Sequence, residues 1–158
     1  MNDKIVIRNA TLDDLDVIAT LWKEFMDFHK VRDSHFTRSS DGHANFADFI
    51  RKHISSEDSS VLVAESDSNV VAYCLATVAN TPPVFEDTQY GTIFDLAVTE
   101  SCRRQGIGER MFAVVRDWFK QKEIRRVEIR VSLSNETSTN FWRKMGFEPY
   151  LETVVKEI

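Results

Sequence analysis

Residues 92–98 read Thr-Ile-Phe-Asp-Leu-Ala-Val, and residues 103–108 shortly after them read Arg-Arg-Gln-Gly-Ile-Gly. The first run is almost wholly apolar, which predicts a strand buried on both faces of a sheet. In the second run, glycines let the main chain pass close to a ligand and adopt positive φ. A helix that starts there would offer unpaired N–H groups and about half a positive charge to an anion. The stretch predicts a strand, an anion-binding loop and a helix, although by itself it also fits a loop that merely starts a helix.

The chain before this stretch predicts a strand, two helices and a hairpin. Ile5–Ile7 is β-branched, and Thr11 with Asp14 forms a capping-box variant that would start a helix. Val61–Ala64 and Val70–Val78 are apolar runs on either side of a turn-rich segment, which is typical of a hairpin. Between strand and hairpin, apolar residues recur at helical spacing in two segments. Their members are Leu15, Ile18, Trp22 and Phe25, and then Phe46, Phe49, Ile50 and Ile54.

The chain after this stretch predicts a long helix from residue 107 and a strand over residues 127–131. A short helix over Asn135–Met145 would end at Gly146, and a last strand would contain Val154 and Val155. The order β-α-α-β-β-β-α-β-α-β predicts an α/β (α+β) fold, a mixed sheet with helices packed on its faces. No linker or repeat interrupts the pattern, so residues 1–158 are expected to form one domain.

Composition and charge exclude several classes of protein. Of the 158 residues, 42% are hydrophobic and 28% charged, which is ordinary for a globular protein. The net charge of −5 disfavours a general nucleic-acid binder, which needs surplus Lys and Arg. No apolar run approaches the roughly 18 residues that span a bilayer, and the first residues show no signal-peptide pattern. We expect a cytoplasmic protein with no nucleic-acid or membrane partner, and no metal because Cys74 and Cys102 lack ligand spacing.

A second motif near the C-terminus accompanies the glycine-bearing loop. The loop has the form Arg-x-x-Gly-x-Gly, and the second motif is an Asn followed by an aromatic pair and then Gly-Phe. The matching residues are Arg103, Gly106 and Gly108, and then Asn135, Phe141, Trp142, Gly146 and Phe147. Together the motifs resemble the GNAT superfamily of acyl-CoA-dependent N-acyltransferases over nearly the full chain. The resemblance implies a mostly antiparallel central sheet with helices on both faces, and acetyl-CoA as co-substrate.

The resemblance also implies which residues hold coenzyme A. Main-chain N–H groups of the loop would bind its pyrophosphate, and the end of the preceding strand would pair with the pantetheine arm like an extra strand. Asn135 would hydrogen-bond that arm, and the aromatic pair would line its channel. The implied coenzyme residues are Leu96, Ala97, Val98, Arg103, Arg104, Gln105, Gly106, Ile107, Gly108, Glu109, Asn135, Phe141, Trp142 and Lys144.

The reaction that the resemblance implies is direct attack of a substrate amine on the acetyl thioester. An alkylamine with a pKa of about 10.4 is mostly protonated at pH 7, so a proton acceptor is expected. Asp95 is the carboxylate of the apolar strand, and it is either a structural hydrogen-bond acceptor or the catalytic base or water relay. The chain departs from the family at Phe94, near the usual glutamate, and at Trp142, where a tyrosine usually protonates the thiolate. Tyr90 and Tyr150 are alternative acids.

The acceptor site of such folds lies between the first helices and the middle strands. Residues in this region are rich in carboxylates, which would favour a cationic amine, although a solvated helix face explains them as well. The predicted acceptor residues are Glu24, Phe28, His29 and Glu86.

Three functions remain open at this point. The first is an N-acetyltransferase that moves the acetyl group of acetyl-CoA to a small cationic amine or to a protein amino group. The second is a weakly catalytic or non-catalytic domain that binds or senses acyl-CoA, which Phe94 and Trp142 motivate. The third is a structural α/β interaction module. The resemblance also suggests a homodimer, for which no sequence feature marks an interface.

Overall fold

The computed structural model describes residues 5–158, which contain four α-helices and five strands. The predicted order of elements is confirmed up to residue 144. The helices are α1 (Leu15–Lys30), α2 (Gly42–Ile54), α3 (Ile107–Gln121) and α4 (Glu136–Lys144). The strands are β1 (Val6–Asn9), β2 (Ser59–Ser66), β3 (Asn69–Asn80), β4 (Gln89–Val98) and β5 (Val127–Ile129). No helix within residues 5–158 combines the length and apolar character needed to cross a bilayer.

The strands form one sheet in the order β1-β2-β3-β4-β5. The first four pair antiparallel with their neighbours, and β5 pairs parallel to β4. This parallel ladder is short, because it joins only Gly91–Ile93 of β4 to Val127–Ile129. The second half of β4 therefore has a neighbour on one side only. The prediction of a mixed, mostly antiparallel sheet is confirmed.

Helices cover both faces of the sheet. Successive side chains of the central strands point to opposite faces, and both sets are apolar, so each face packs against helices. Cys74 of β3 faces α3 and α4, whereas its neighbour Tyr73 faces α1 and α2, and both are fully buried. The first face packs Leu62, Ala64 and Ala76 against Met111, Val115, Phe119 and Trp142. The second face packs Val61, Val63 and Leu75 against Ile18, Leu21, Phe46 and Ile50.

A β-bulge interrupts β4 beside the predicted site. Leu75 of β3 pairs with Asp95, but the next residue of β3, Ala76, pairs with Ile93, so Phe94 is an extra residue in β4. Ile93 faces the α3 side and Ala97 faces the α1 and α2 side. Since a bulge reverses the alternation of side chains after it, Asp95 joins Ala97 on the face that α1 and α2 cover.

Two sequence-based predictions for strands are wrong. Residues 92–98 are not buried on both faces, since Phe94 in the bulge is 52% exposed. The last strand is absent, because residues 145–158 contain no strand and Val154 and Val155 are 83% and 92% exposed. β-branched residues favour extended backbone, but a strand forms only where a neighbouring strand supplies a ladder of hydrogen bonds.

Gly91 leaves room for an aromatic ring, which gives a test of packing between β4 and α3. A Cβ atom at Gly91 would lie 2.4 Å from the ring of Phe119, which is 2% exposed. We expect Gly91→Ala to lower the free energy of unfolding by about 1–3 kcal/mol and the Tm by roughly 3–10 °C. Denaturant and thermal unfolding measure both. In a Phe119→Leu background the same substitution should cost clearly less, and an equal cost would contradict this contact as the cause.

Candidate active site

The loop before α3 presents a row of free N–H groups. Arg104 and Gly106 both have left-handed backbone, with φ of 65° and 76°. The first helical hydrogen bond is donated by the Arg110 N–H to the Gly106 carbonyl at 3.1 Å. The six N–H groups from Arg104 to Glu109 have no hydrogen-bond acceptor among residues 5–158. Alternating left- and right-handed residues turn successive N–H groups into one concavity, which suits an anion.

Side chains of α4 close one side of this loop. Lys144 forms an ion pair with Glu109 of the first turn of α3. A Cβ atom at Gly108 would lie 3.2 Å from the ring of Phe141, so glycine allows α3 and α4 to approach each other here. The structure thus brings Gly108, Glu109, Phe141 and Lys144 together, as the sequence analysis predicts for one coenzyme site.

The two arginines of the loop have different environments. The Arg103 Nε atom donates to the Val98 carbonyl at 2.9 Å, and its guanidinium lies 5.3 Å from the ring centre of Phe28. Arg103 is therefore bound to the end of β4 rather than directed freely at the loop. Arg104 is exposed and has no ion pair within the described part of the chain. Of the two, Arg104 is the cation that is available to an anion in the loop.

The second half of β4 has an open edge. The Thr99 N–H donates to the Val71 carbonyl of β3 at 2.9 Å. Because antiparallel ladders alternate, the main chain of Ala97 then faces β3, whereas that of Leu96 and Val98 faces away from it. The pairing with β5 ends at Ile93, so no strand within residues 5–158 covers this side. An extended ligand could pair with Leu96 and Val98 there, but not with Ala97, whose predicted main-chain contact is not available.

A carboxyl group and a phenol meet on the other face of β4. The Tyr73 hydroxyl donates to Asp95 Oδ2 at 3.1 Å. Burial raises the pKa of Asp95 to about 6, although this hydrogen bond opposes the rise. Burial and the nearby Asp95 charge raise the pKa of Tyr73 well above its ordinary value. Asp95 Oδ1 has no partner among the described residues and is not sealed from solvent. The pair is thus a proton acceptor with one open oxygen atom.

Sequence reasoning missed Tyr73 and three rings beside Asp95. Phe94 lies against Phe49 and His53 of α2, with ring centres 6.0 and 6.4 Å away. Phe49 and His53 contact each other edge to face at 4.5 Å. The alternation of β3 could have placed Tyr73 on this face, but only the bulge brings Asp95 to it. The sequence carries no signal for the bulge.

Two of the predicted acceptor residues meet at Arg103, whose Nη2 atom lies 3.9 Å from Glu24 Oε1 and whose guanidinium lies 5.3 Å from the ring centre of Phe28. The Glu24 oxygen atoms accept from the Thr99 hydroxyl and the Glu100 N–H, each at 2.9 Å, so this side chain ties α1 to the end of β4. His29 is buried among phenylalanine rings, and burial and Arg32 lower its pKa. Phe28 stacks with Arg32, and Glu86 is exposed in the loop after β3. The acidic region predicted to attract a cation is mostly engaged in structural contacts.

The residues of the C-terminal motif have two structural roles: Asn135 caps α4, and Trp142 packs in the core. Asn135 Oδ1 accepts from the Ser138 N–H at 3.1 Å and caps α4. Trp142 is 5% exposed and packs edge to face against Phe112 and Phe147. Of the two aromatic residues predicted to line the coenzyme channel, Trp142 is part of the core, whereas Phe141 is only half-buried.

Neither alternative acid lies near Asp95. Tyr90 precedes it by five residues along β4, which is roughly 16 Å in an extended strand. Tyr150 lies under the Arg126 guanidinium at 4.1 Å, and the Arg126 carbonyl accepts from the Gly91 N–H at the start of β4. Residues 5–158 contain no group of three or more His, Cys, Asp or Glu side chains that could hold a metal ion.

An open sheet edge beside a loop of free N–H groups can bind an extended ligand that carries phosphate groups. The chain belongs to the acetyltransferase (GNAT) family, whose model matches residues 18–147. It is an acyl-CoA-dependent N-acetyltransferase with the α/β fold of that family.

Three relatives illustrate the similarity. A Bacillus subtilis (strain 168) protein provisionally named ribosomal protein bS18-alanine N-acetyltransferase is 25% identical over 94% of this chain and 84% of its own. A crystal structure of the BH1408 protein from Bacillus halodurans (tetramutant) has a TM-score of 0.86 at 26% identity, over 97% of this chain and 99% of its own. The aminoglycoside N-acetyltransferase AAC(6')-Iy in complex with CoA has a TM-score of 0.73 at 16% identity, over 100% and 97% of the two chains.

Proposed function

We propose that the chain, acting as one domain, transfers the acetyl group of acetyl-CoA directly to the primary amine of a small cationic molecule. The observation that carries this proposal is the row of free N–H groups from Arg104 to Glu109 next to the open edge of β4. Asp95, a proton acceptor, lies in that same half of β4. A small amine is supported by a structural relative named as an aminoglycoside acetyltransferase.

The residues of the site fit coenzyme A. Its pyrophosphate is anionic, and the N–H groups of the loop with the Arg104 guanidinium would hold it. Its pantetheine arm carries amide groups, which would pair with the main chain of Leu96 and Val98. Phe141 would line the arm, and the amide nitrogen of Asn135 would donate to it because its oxygen is used in capping α4. Acetyl-CoA supplies the activated acetyl group when bound.

Asp95 would accept the proton that the amine must lose. At pH 7 an alkylamine is neutral in only about one molecule in a few thousand, so the bound ammonium needs a base. With a pKa of about 6, Asp95 is mostly ionised at neutral pH, and its open Oδ1 atom is the accepting oxygen. The hydrogen bond from Tyr73 holds the carboxylate in place through Oδ2.

No side-chain acid is needed for the leaving thiolate in this proposal. Trp142 is buried at the position where many relatives carry a tyrosine, and its indole N–H is a very poor acid. A thiol pKa of about 8.5 makes the thiolate a fair leaving group without protonation. The chain can therefore be catalytic even though Trp142 and Phe94 differ from the residues usual in the family.

Release of free thiol from acetyl-CoA tests the proposal. The purified chain is incubated with acetyl-CoA and a panel of primary amines, and thiol is followed colorimetrically while the acetylated product is identified by mass. We expect amine-dependent thiol release with one acetyl group added per thiol. Binding of acetyl-CoA without release for any amine would support the acyl-CoA-sensing alternative instead.

Protein amino groups are a second candidate acceptor, because the Bacillus subtilis relative is named for a ribosomal protein alanine. Short peptides with a free N-terminal alanine belong in the same panel. If they are acetylated and small amines are not, the protein-directed alternative replaces the small-molecule proposal.

A further inference from the structure

We infer that the acceptor of this enzyme is a primary amine attached to an aromatic or other flat apolar group, recognised by Phe49, His53 and Phe94. These three side chains are here called the aromatic wall. The inference rests on the proposed transfer to an amine and specifies the part of the substrate that does not react. Nothing in the composition of α2 or β4 suggests it, because the wall exists only in the folded chain.

The phenylalanine rings of the aromatic wall are exposed to solvent, although phenylalanine is usually buried. Phe94 is 52% exposed and Phe49 36% exposed, although the face of β4 that they border is otherwise well packed. Phe94 is the extra residue of the bulge, so the fold itself turns its ring outward beside α2. Contiguous exposed apolar surface beside a polar reacting group is typical of ligand sites.

His53 completes the wall without adding charge. Its Nδ1 atom lies 2.7 Å from the Ser59 hydroxyl, which fixes the ring, and its Nε2 atom has no partner among the described residues. Burial lowers the pKa of His53, so the ring is neutral at pH 7. Three uncharged rings therefore lie together, and because Phe49 meets both His53 and Phe94 edge to face, ring faces remain for a further aromatic group.

Asp95 gives the site a charged end next to this wall. It follows Phe94 directly in the chain, and the bulge directs both side chains to the face that α1 and α2 cover. The open Oδ1 atom would attract an ammonium group, while the rings would remove an apolar group from water. Glu24, the carboxylate of α1 that contacts the end of β4, is already hydrogen-bonded to Thr99 and Glu100. A ligand with a single ammonium group and a flat apolar group would contact both the Asp95 carboxylate and the aromatic wall.

Amines without an apolar group gain nothing from the wall. A polyamine or an amino sugar would bring further polar groups against Phe49 and Phe94, which offer them no hydrogen bond. A phenyl group that is removed from water on binding should improve kcat/KM by about 10–30-fold over a hydrogen atom at the same position. The inference therefore predicts the order of preference within one panel of amines.

The test compares 2-phenylethylamine, ethylamine and spermidine with wild-type protein and three variants. Wild type should use 2-phenylethylamine with a kcat/KM about 10–30-fold above that of ethylamine. Phe94→Ala should remove most of this preference through KM, and Phe94→Leu should retain part of it. Tyr150→Ala, which removes an exposed aromatic side chain at the other end of β4, should leave the preference unchanged.

Calorimetric titration of coenzyme A into each variant and thermal unfolding serve as controls for the coenzyme site and the fold. A wild-type preference for ethylamine or spermidine, or an equal loss for all amines in Phe94→Ala, overturns the inference while leaving the acetyl transfer intact. Absence of thiol release with every amine, despite coenzyme binding, instead overturns the proposed function itself.

Discussion

Gly106→Asp is expected to weaken the binding of coenzyme A by about 100-fold or more while the protein stays folded. A Cβ atom at Gly106 meets no other atom within 4 Å, so the new side chain clashes with nothing, and Gly106 itself lies within the row of free N–H groups. Its carboxylate would oppose the charge of the pyrophosphate and could itself accept hydrogen bonds from those N–H groups. Isothermal titration calorimetry measures the loss directly.

Gly106→Asn is the matched control for this substitution. Asn has the same shape as Asp and also tolerates the left-handed backbone at Gly106, where φ is 76°. Any cost of the backbone is therefore shared, and only the charge differs. We expect Gly106→Asn to weaken binding by less than about tenfold. If both variants bind coenzyme A as tightly as wild type, the anion does not lie in this loop.

Asp95→Asn is expected to lower kcat by about 10²–10⁴-fold, which is the usual range for the loss of a general base. The wild-type rate should fall as the pH drops through about 6, because protonated Asp95 can no longer accept a proton. In the variant the fall in rate near pH 6 should be absent. The rate should instead rise about tenfold per pH unit as the neutral amine becomes more abundant. A pH–rate profile of both proteins measures the difference.

Tyr73→Phe tests the same base without removing it. The hydrogen bond from the Tyr73 hydroxyl favours the charged form of Asp95, so its removal should raise the pKa of the carboxyl group. The acidic limb of the pH–rate profile should then move to higher pH, with the plateau rate much less affected than in Asp95→Asn. Identical profiles for wild type and Asp95→Asn would mean that Asp95 has only a structural role.

Most of the elements follow from patterns of neighbouring residues. The capping box of Thr11 and Asp14 is present, with the Thr11 N–H donating to Asp14 Oδ2 at 2.7 Å, and α1 follows it. The helix predicted from residue 107 is present as α3, and its residues Ile107, Met111, Val115 and Phe119, which recur at helical spacing, are buried. These signals can be read in the sequence because one turn of helix or one strand contains all the residues involved.

The missed features depend on residues far apart in the chain. Trp142 matches the family motif by spacing, yet its burial depends on Phe112 of α3. Glu24 was predicted to bind the acceptor, but its carboxylate accepts hydrogen bonds from Thr99 and Glu100, which lie 75 and 76 residues further along the chain. Val154 and Val155 have the composition of a strand and no strand beside them. The burial or pairing of these residues depends on which distant segments of the chain pack against them.

The amino-acid sequence alone determined the order of the elements up to α4 and the position of the loop that we propose binds an anion, because helix periodicity, caps and glycines act over a few residues. It also determined the family through two motifs at fixed spacing. Only the tertiary structure decided which side chains lie at the acceptor site that we propose. One extra residue in β4 directs Asp95 toward Tyr73 and turns Phe94 toward α2. That register is set by hydrogen bonds between strands and by packing across the sheet, which no local pattern encodes.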